Sequence, residues 1–126
     1  MFKSVKELIE RCEAENKAIY EVMLEQEMAV TGMTAEEVYT HMDRNLQTME
    51  NALEEGLAGV TSKTGLTGGD AVLMKQYIES GQALAGNLVL DAVSKAVATN
   101  EVNAAMGKIC ATPTAGSAGV VPGVLF

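Results

Sequence analysis

Two segments of the chain collect the residue types that can do chemistry. The first, Thr61-Ser62-Lys63-Thr64-Gly65-Leu66-Thr67-Gly68-Gly69-Asp70, sets hydroxyls and one lysine among glycines. Such a composition can turn several backbone N–H groups and hydroxyls toward an anion. It is not a Walker phosphate loop, because the GxxxxGK[ST] order is absent and its only lysine precedes the glycines. The second segment, Cys110 to Phe126, joins a thiol, three hydroxyls, three glycines and two prolines. Between the two, Thr99-Asn100-Glu101 and Asn103 interrupt an apolar run. Polar groups on a buried helix need partners, so these residues either bond neighbouring loops or line a site.

The single ionisable groups are less informative. His41 is the sole histidine, so no Ser/His pair or multi-histidine metal site can be completed within the chain, and it reads as solvated or cap-like. Cys12 falls on an apolar helical face, where a thiol behaves as a small hydrophobe. Cys110, before Pro113, is placed as a nucleophile or an iron–sulfur ligand would be. A cluster generally needs three or four thiolates and the chain holds two, so Cys110 reads as a structural thiol. Asp70 is either a functional loop charge or a first-turn carboxylate that offsets a helix dipole. Lys63 either holds a substrate carboxylate or is a solvated side chain.

These segments need elements to position them. The 126 residues are 48% hydrophobic with 4% aromatics, no Trp and eight Met, so the core is built from Ala, Val, Leu, Ile and Met. That palette predicts an all-α fold in one domain-sized chain. Ser4 with Glu7 forms a capping-box pattern before Val5, Leu8, Ile9 and Cys12. A second helical pattern runs from Glu15 to about Val30 and stops at Gly32. Thr34 with Glu37 opens a third, in which Val38, Met42, Met49 and Leu53 form a stripe that reads as a core seam, ending at Gly56 and Gly59. Eleven of the twelve glycines lie at or after Gly56, so the chain passes there from scaffold to loops. A fourth helix is expected from Ala71 to about Ser80. Leu88 to about Met106 reads as the most buried helix, with Leu88, Val89, Leu90, Val93, Val97, Val102 and Met106 around it. Gly119 to Phe126 could form a short strand, although its glycines and Pro122 argue against a central one. The apolar end at Val124-Leu125-Phe126 needs something to pack on, so the chain is expected to be an incomplete part of a larger helical domain.

The net charge of −8 is uneven: residues 1–55 hold thirteen acids against five bases, and the remainder four of each. That half repels nucleic acid and anionic membrane surfaces, and no basic stripe follows to compensate. The longest apolar run, Leu84 to Ala98, is broken by Asn87, Asp91, Ser94 and Lys95 and falls short of the roughly 18–20 apolar residues a membrane span needs. With no secretory pattern, the chain reads as a reduced cytoplasmic protein.

From Glu55 to Ala71, from Leu90 to Gly107, and on through Cys110-Ala111-Thr112-Pro113-Thr114-Ala115-Gly116-Ser117-Ala118-Gly119, the sequence resembles the α subunit of the bacterial iron–sulfur-dependent L-serine dehydratases (L-serine ammonia-lyases). Val5-Lys6-Glu7-Leu8-Ile9-Glu10 is similar to that subunit's start, so the resemblance covers essentially the whole chain. It implies conversion of L-serine to pyruvate and ammonia, in serine catabolism and gluconeogenesis, with a 4Fe-4S cluster held by three cysteines. It also implies a β subunit or β domain as partner and admits an oligomer. The family's α subunit runs to roughly twice this length or more, comfortably a catalytic domain in size, and its cluster cysteines lie in Gly-Cys-Gln, Cys-Asp-Pro and Pro-Cys motifs that do not occur here. No metal ligand is therefore assigned within this chain, which on its own is expected to bind no cluster and to be inactive.

On this reading residues 1–59 are an acidic helical lead-in and residues 60–126 the start of the catalytic domain. The candidate substrate-binding residues are Ser62, Lys63, Thr64, Gly65 and Thr67 in the first loop, Thr112, Thr114, Gly116 and Ser117 in the second, and Asn100 and Asn103 behind them. The two loops are expected to converge on the carboxylate and ammonium of serine. A reading from another class is a stand-alone acidic helical module that docks a partner through its glycine-rich end. A third has Cys12 and Cys110 of several copies share a metal.

Overall fold

A computed structural model describes residues 2–81 and 86–126, so Leu84 and Ala85, where the longest apolar run begins, lie outside the described residues. The described residues form α1 (Val5–Glu15), α2 (Ile19–Thr31), α3 (Ala35–Ala58), α4 (Asp70–Glu79), α5 (Asn87–Ala104) and α6 (Ser117–Leu125), with no strand among them. The fold is all-α. None of the described helices is long and apolar enough to cross a membrane.

Local chemistry sets the starts of α1 and α3. The Ser4 hydroxyl accepts the Glu7 N–H at 3.2 Å, while the Glu7 carboxylate reaches back one residue further than the box pattern requires, to the Lys3 N–H at 2.7 Å. The second helical pattern, expected from Glu15, begins later, at Ile19. Asn16 takes a left-handed conformation (φ 49°), and the Lys17 N–H closes on the Cys12 carbonyl at 2.9 Å, so α1 ends and α2 starts afresh at Ile19. Asparagine tolerates that conformation better than most residues, which allows the break without a glycine.

Thr34 and Glu37 form the reciprocal box before α3: the Glu37 carboxylate accepts the Thr34 N–H at 2.8 Å, and the Glu37 N–H donates to the Thr34 hydroxyl at 3.3 Å. Bonds to that carboxylate from the Thr34 N–H and, at 2.9 Å, from the Thr34 hydroxyl, aided by nearby His41, hold the Glu37 carboxyl below its ordinary range. A depressed carboxylate stabilises the fold above its unfolded-state value and loses that contribution as pH falls through its folded-state value. The start of α3 should therefore fray as pH drops below the usual carboxylate range. Thr34→Ala, which keeps the backbone bond and removes the hydroxyl's, should flatten that dependence in part, as read from amide exchange at Glu37 and Val38 across an acid titration.

The chain divides into two compact units, residues 1–44 and 45–126, with the boundary inside α3. In the first, α1 and α2 pack together around fully buried Val22. Arg11 and Lys17 each bridge Glu15 and Glu25, at 2.6–3.1 Å. Hydrogen bonds from Lys17 and Arg11 hold the Glu15 carboxyl below its ordinary range. Exposed pairs of this kind align helices more than they stabilise them.

The second unit carries the main core: Met49, Ala52, Leu53, Ala71, Ala98, Val102 and Ala118. The α3 stripe is thus buried at Met49 and Leu53, whereas Met42 is exposed. In α5 only part of the expected apolar set is buried. Leu88 is 84% and Met106 80% exposed, and Val89 and Val93 also face solvent, while Ser94, Ala98, Thr99, Glu101 and Val102 are buried. Glycines on the neighbouring helices favour small residues where those helices meet α5. A Cβ at Gly119 would stand 2.6 Å from the Ala96 carbonyl, one at Gly123 2.6 Å from the Ala92 carbonyl, and one at Gly56 2.6 Å from the Ala98 carbonyl carbon. Helices in such close approach leave no room for large side chains between them. Gly119 lies beside Ala96 and Asn100 and Gly123 beside Ala92 and Ala96, so α6 runs antiparallel to α5. Ser94 and Thr99 bond back to the Asp91 and Lys95 carbonyls, which satisfies these buried hydroxyls within the helix. Helix α6 occupies the segment where a strand was conceivable, and it holds Pro122 within it.

Candidate functional site

The first glycine-rich loop joins α3 to α4 and is organised by Ser62. The Ser62 N–H donates to the Thr67 carbonyl at 2.8 Å, its carbonyl accepts the Gly65 N–H at 2.8 Å, and its hydroxyl accepts the Thr67 N–H at 3.1 Å. The Thr64 hydroxyl lies 3.3 Å from the same oxygen. Gly68 (φ 132°) closes the loop against the Val60–Thr61 backbone. The loop hydroxyl at Ser62 is therefore part of the loop's own frame. Lys63 is exposed and makes no hydrogen bond or ion pair among the described residues.

Helix α4 follows at once, and Gly69 at its N-cap offers no side chain. The missing cap comes from elsewhere in the chain. Glu101 on α5 accepts the Asp70 N–H at 2.7 Å and the Ala71 N–H at 3.4 Å with its two carboxylate oxygens, and the residue is only 3% exposed. A buried carboxylate without partners would cost several kcal/mol, and here the positive end of a helix and its free N–H groups supply them. The anion at the start of α4 is thus internal to the protein.

The second loop begins where α5 ends. Met106 is left-handed (φ 67°), and the Gly107 N–H closes on the Val102 carbonyl at 2.8 Å. Glycine is needed at 107 for space, since a Cβ there would lie 2.5 Å from the Val102 side chain. Thr114 and Ser117 then bond reciprocally: the Ser117 N–H donates to the Thr114 hydroxyl at 3.2 Å, and the Ser117 hydroxyl accepts the Thr114 N–H at 3.0 Å. Thr112 and Ser117 hydroxyls are 2.6 Å apart. Both cysteines are half-buried and free, and the Cys110 thiol reaches only the Ala111 carbonyl at 3.8 Å.

The two loops share no hydrogen bond among the described residues; α5 links them. Glu101 holds the start of α4, and the adjacent residue, Asn100, lies against Gly119 near the start of α6. Asn100 and Asn103 are exposed, and their side chains, like that of Lys63, carry no hydrogen bond among the described residues. The candidate residues therefore fall into two groups. Ser62, Thr112, Thr114 and Ser117 build the loops, whereas the side chains of Lys63, Asn100 and Asn103 take no part in that bonding. Gly65, with φ 71° and no neighbour within reach of a Cβ, shapes the turn, and Gly116 precedes α6. Thr67 contributes its backbone to the Ser62 pairings. A separate open cleft of about 390 Å³ beside the start of α3 is lined by Thr34, Glu36, Glu37, Thr40, His41 and Arg44.

The model of the serine dehydratase alpha chain family matches residues 14–126. The chain belongs to that family. It is 65% identical over its whole length to the probable L-serine dehydratase alpha chain of Bacillus subtilis, covering 42% of that protein. It is 32% identical over 99% of its length to the L-serine dehydratase alpha chain of Peptoniphilus asaccharolyticus, covering 43% of it. Against the L-serine dehydratase of Haemophilus influenzae the identity is 29% over 98% of the chain and 28% of that protein. The chain thus spans less than half the length of these relatives. No solved structure matches it.

Among the described residues no three His, Cys, Asp or Glu side chains gather to hold a metal ion. With two cysteines in the sequence, the donor set does not fit an iron–sulfur cluster. Glu101 is not among the candidate residues, since in the sequence it is one of several polar interruptions in an apolar run. Its signal lay in the pairing of an acid inside an apolar helix with a helix start, Gly68-Gly69-Asp70, that lacks a capping side chain.

Proposed function

We propose that this chain forms part of an L-serine ammonia-lyase and supplies the helical scaffold and two substrate-facing loops. The whole enzyme eliminates water from L-serine, and the resulting aminoacrylate hydrolyses to pyruvate and ammonia. We place the 4Fe-4S cluster of such an enzyme, which supplies Lewis-acid chemistry, on residues other than these 126. Residues 60–126 begin the catalytic domain and residues 1–59 form its lead-in, a β subunit or β domain completes the assembly, and the enzyme works in the cytoplasm.

The observation that carries this reading is that α4 and α6, the helices that follow the two glycine-rich loops, both meet one turn of α5 at Glu101 and Asn100, while the side chains of Lys63, Asn100 and Asn103 make no hydrogen bond among the described residues. Lys63 pairs with the serine carboxylate, and the two amides offer both donors and acceptors to the carboxylate and the ammonium. A loop already bonded through Ser62 loses little conformational freedom on binding.

In the complete enzyme, Lys63→Ala should raise KM for L-serine roughly 10- to 100-fold, since a charged hydrogen bond contributes about 1.5–3 kcal/mol. Lys63→Arg should recover part of the loss. Steady-state pyruvate formation measures both, and a Lys63→Ala enzyme with KM unchanged would remove the first loop from the substrate site.

A further inference from the structure

Glu101 belongs to none of the catalytic patterns in the sequence, yet it is the most deeply engaged carboxylate of the second unit. Its partners lie about thirty residues earlier in the chain, and both are backbone N–H groups at the very start of α4. Those N–H groups would otherwise be unpaired, because Gly69 carries no capping side chain. Immediately before them stand Gly68 and Gly69, both with positive φ, and Gly68 is pressed against the Val60–Thr61 backbone. The exit of the 60–69 loop is thus set where Glu101 grips α4, and its closure is set two residues earlier. Lys63 lies inside that closed span.

We propose that Glu101 is a positioning residue for L-serine binding: its buried carboxylate fixes α4, and through it the glycine-rich loop that presents Lys63. The inference rests on the reading of Lys63 as the carboxylate-binding group. Glu101 has no part in the chemistry itself, since both of its oxygens are committed to N–H groups in the interior. The negative charge matters as well as the shape. In Glu101→Gln the side-chain volume is kept, but an NH2 group replaces one acceptor and faces an N–H.

The test uses the complete enzyme. Glu101→Gln should raise KM for L-serine by about tenfold or more while kcat changes by less than about threefold, the pattern of lost uniform binding. Amide exchange should accelerate at Asp70 and Ala71 and at the loop amides of Ser62, Gly65 and Thr67, while α5 and α6 keep their protection. Glu101→Ala should show the same KM defect and be rescued by added formate but not by formamide, because formate can restore an anion between the vacated N–H groups. Unchanged KM and exchange in Glu101→Gln, alongside a raised KM in Lys63→Ala, would overturn the inference and leave the substrate reading standing. Loss of protection throughout α5 and α6 would also overturn it, by making Glu101 a general support of the core. An unchanged KM in Lys63→Ala would instead overturn the substrate reading and with it the link from Glu101 to serine, while the exchange data still judge the grip on α4 by itself.

Discussion

Gly56→Ala should destabilise the second unit by about 2–3 kcal/mol and lower its melting temperature by on the order of 10 °C. The direction runs against helix propensity, which favours alanine over glycine by about 1 kcal/mol in a helix interior. What overrides it is the partner. A Cβ at residue 56 would meet the carbonyl of Ala98, with the carbonyl carbon at 2.6 Å and the α-carbon at 2.7 Å. These are backbone atoms of α5 and cannot rotate away, so α3 and α5 must separate. The core residues between them, Ala52, Leu53, Ala98 and Val102, then lose contact. Gly86→Ala is the matched control: its φ of −59° suits alanine and nothing lies within 4 Å of a Cβ there, so stability should move by less than about 0.5 kcal/mol. Thermal unfolding of the chain followed by circular dichroism measures both. If Gly56→Ala melts with the parent protein, α3 does not approach α5 this closely.

The same glycine shows why some of the fold was legible in the sequence and some was not. The starts of α1 and α3 could be read because a capping residue and the helix it begins are local, and the Thr34–Glu37 box forms as its spacing predicts. The end of α1 could not, since Asn16 had to adopt a left-handed conformation that the apolar rhythm on either side does not announce. Of the apolar residues expected around α5, Val102 is buried while Leu88, Val89 and Val93 are exposed. Periodicity gives most weight to large apolar side chains, yet glycines 56, 119 and 123 on other helices bring backbone close to α5 at Ala92, Ala96 and Ala98, where only small residues fit.

The site follows the same division. Glycines and hydroxyls marked the two loops correctly as unusual, because those residue types have few other uses in a helical protein. That the Ser62, Thr114 and Ser117 hydroxyls are used up inside their own turns depends on loop geometry, which spacing alone does not fix. Glu101 needed a contact across about thirty residues, and its partners are backbone groups that look alike in any sequence.

Gly68→Ala should open the first loop without unfolding the unit around it. Residue 68 has φ 132°, a conformation that costs a residue with a Cβ about 1–3 kcal/mol. The added carbon would also strike the Val60 carbonyl and lie 2.7 Å from the Thr61 α-carbon. Against this combined cost the loop holds itself closed by the Ser62–Thr67 pairings and the Gly65 N–H bond to Ser62, each contributing about 1 kcal/mol net. The two sides are comparable, and opening the loop relieves all of the strain, whereas shifting α4 would break its grip on Glu101. Exchange at Ser62, Gly65 and Thr67 should therefore accelerate while Leu73, bonded to the Gly69 carbonyl at the start of α4, keeps its protection. Gly65→Ala separates the two causes: its φ of 71° imposes a left-handed conformation, but no atom lies within 4 Å of the new carbon. That variant should lose only about 1–2 kcal/mol and keep the loop closed. In the complete enzyme, Gly68→Ala should raise KM for L-serine at least as much as Lys63→Ala does, since an open loop misplaces Lys63 together with Thr64 and Thr67. A Gly68→Ala protein whose loop amides exchange at the parent rate would mean that the contact between residue 68 and Val60 does not close the loop, and Lys63 would then owe its position to Glu101 alone.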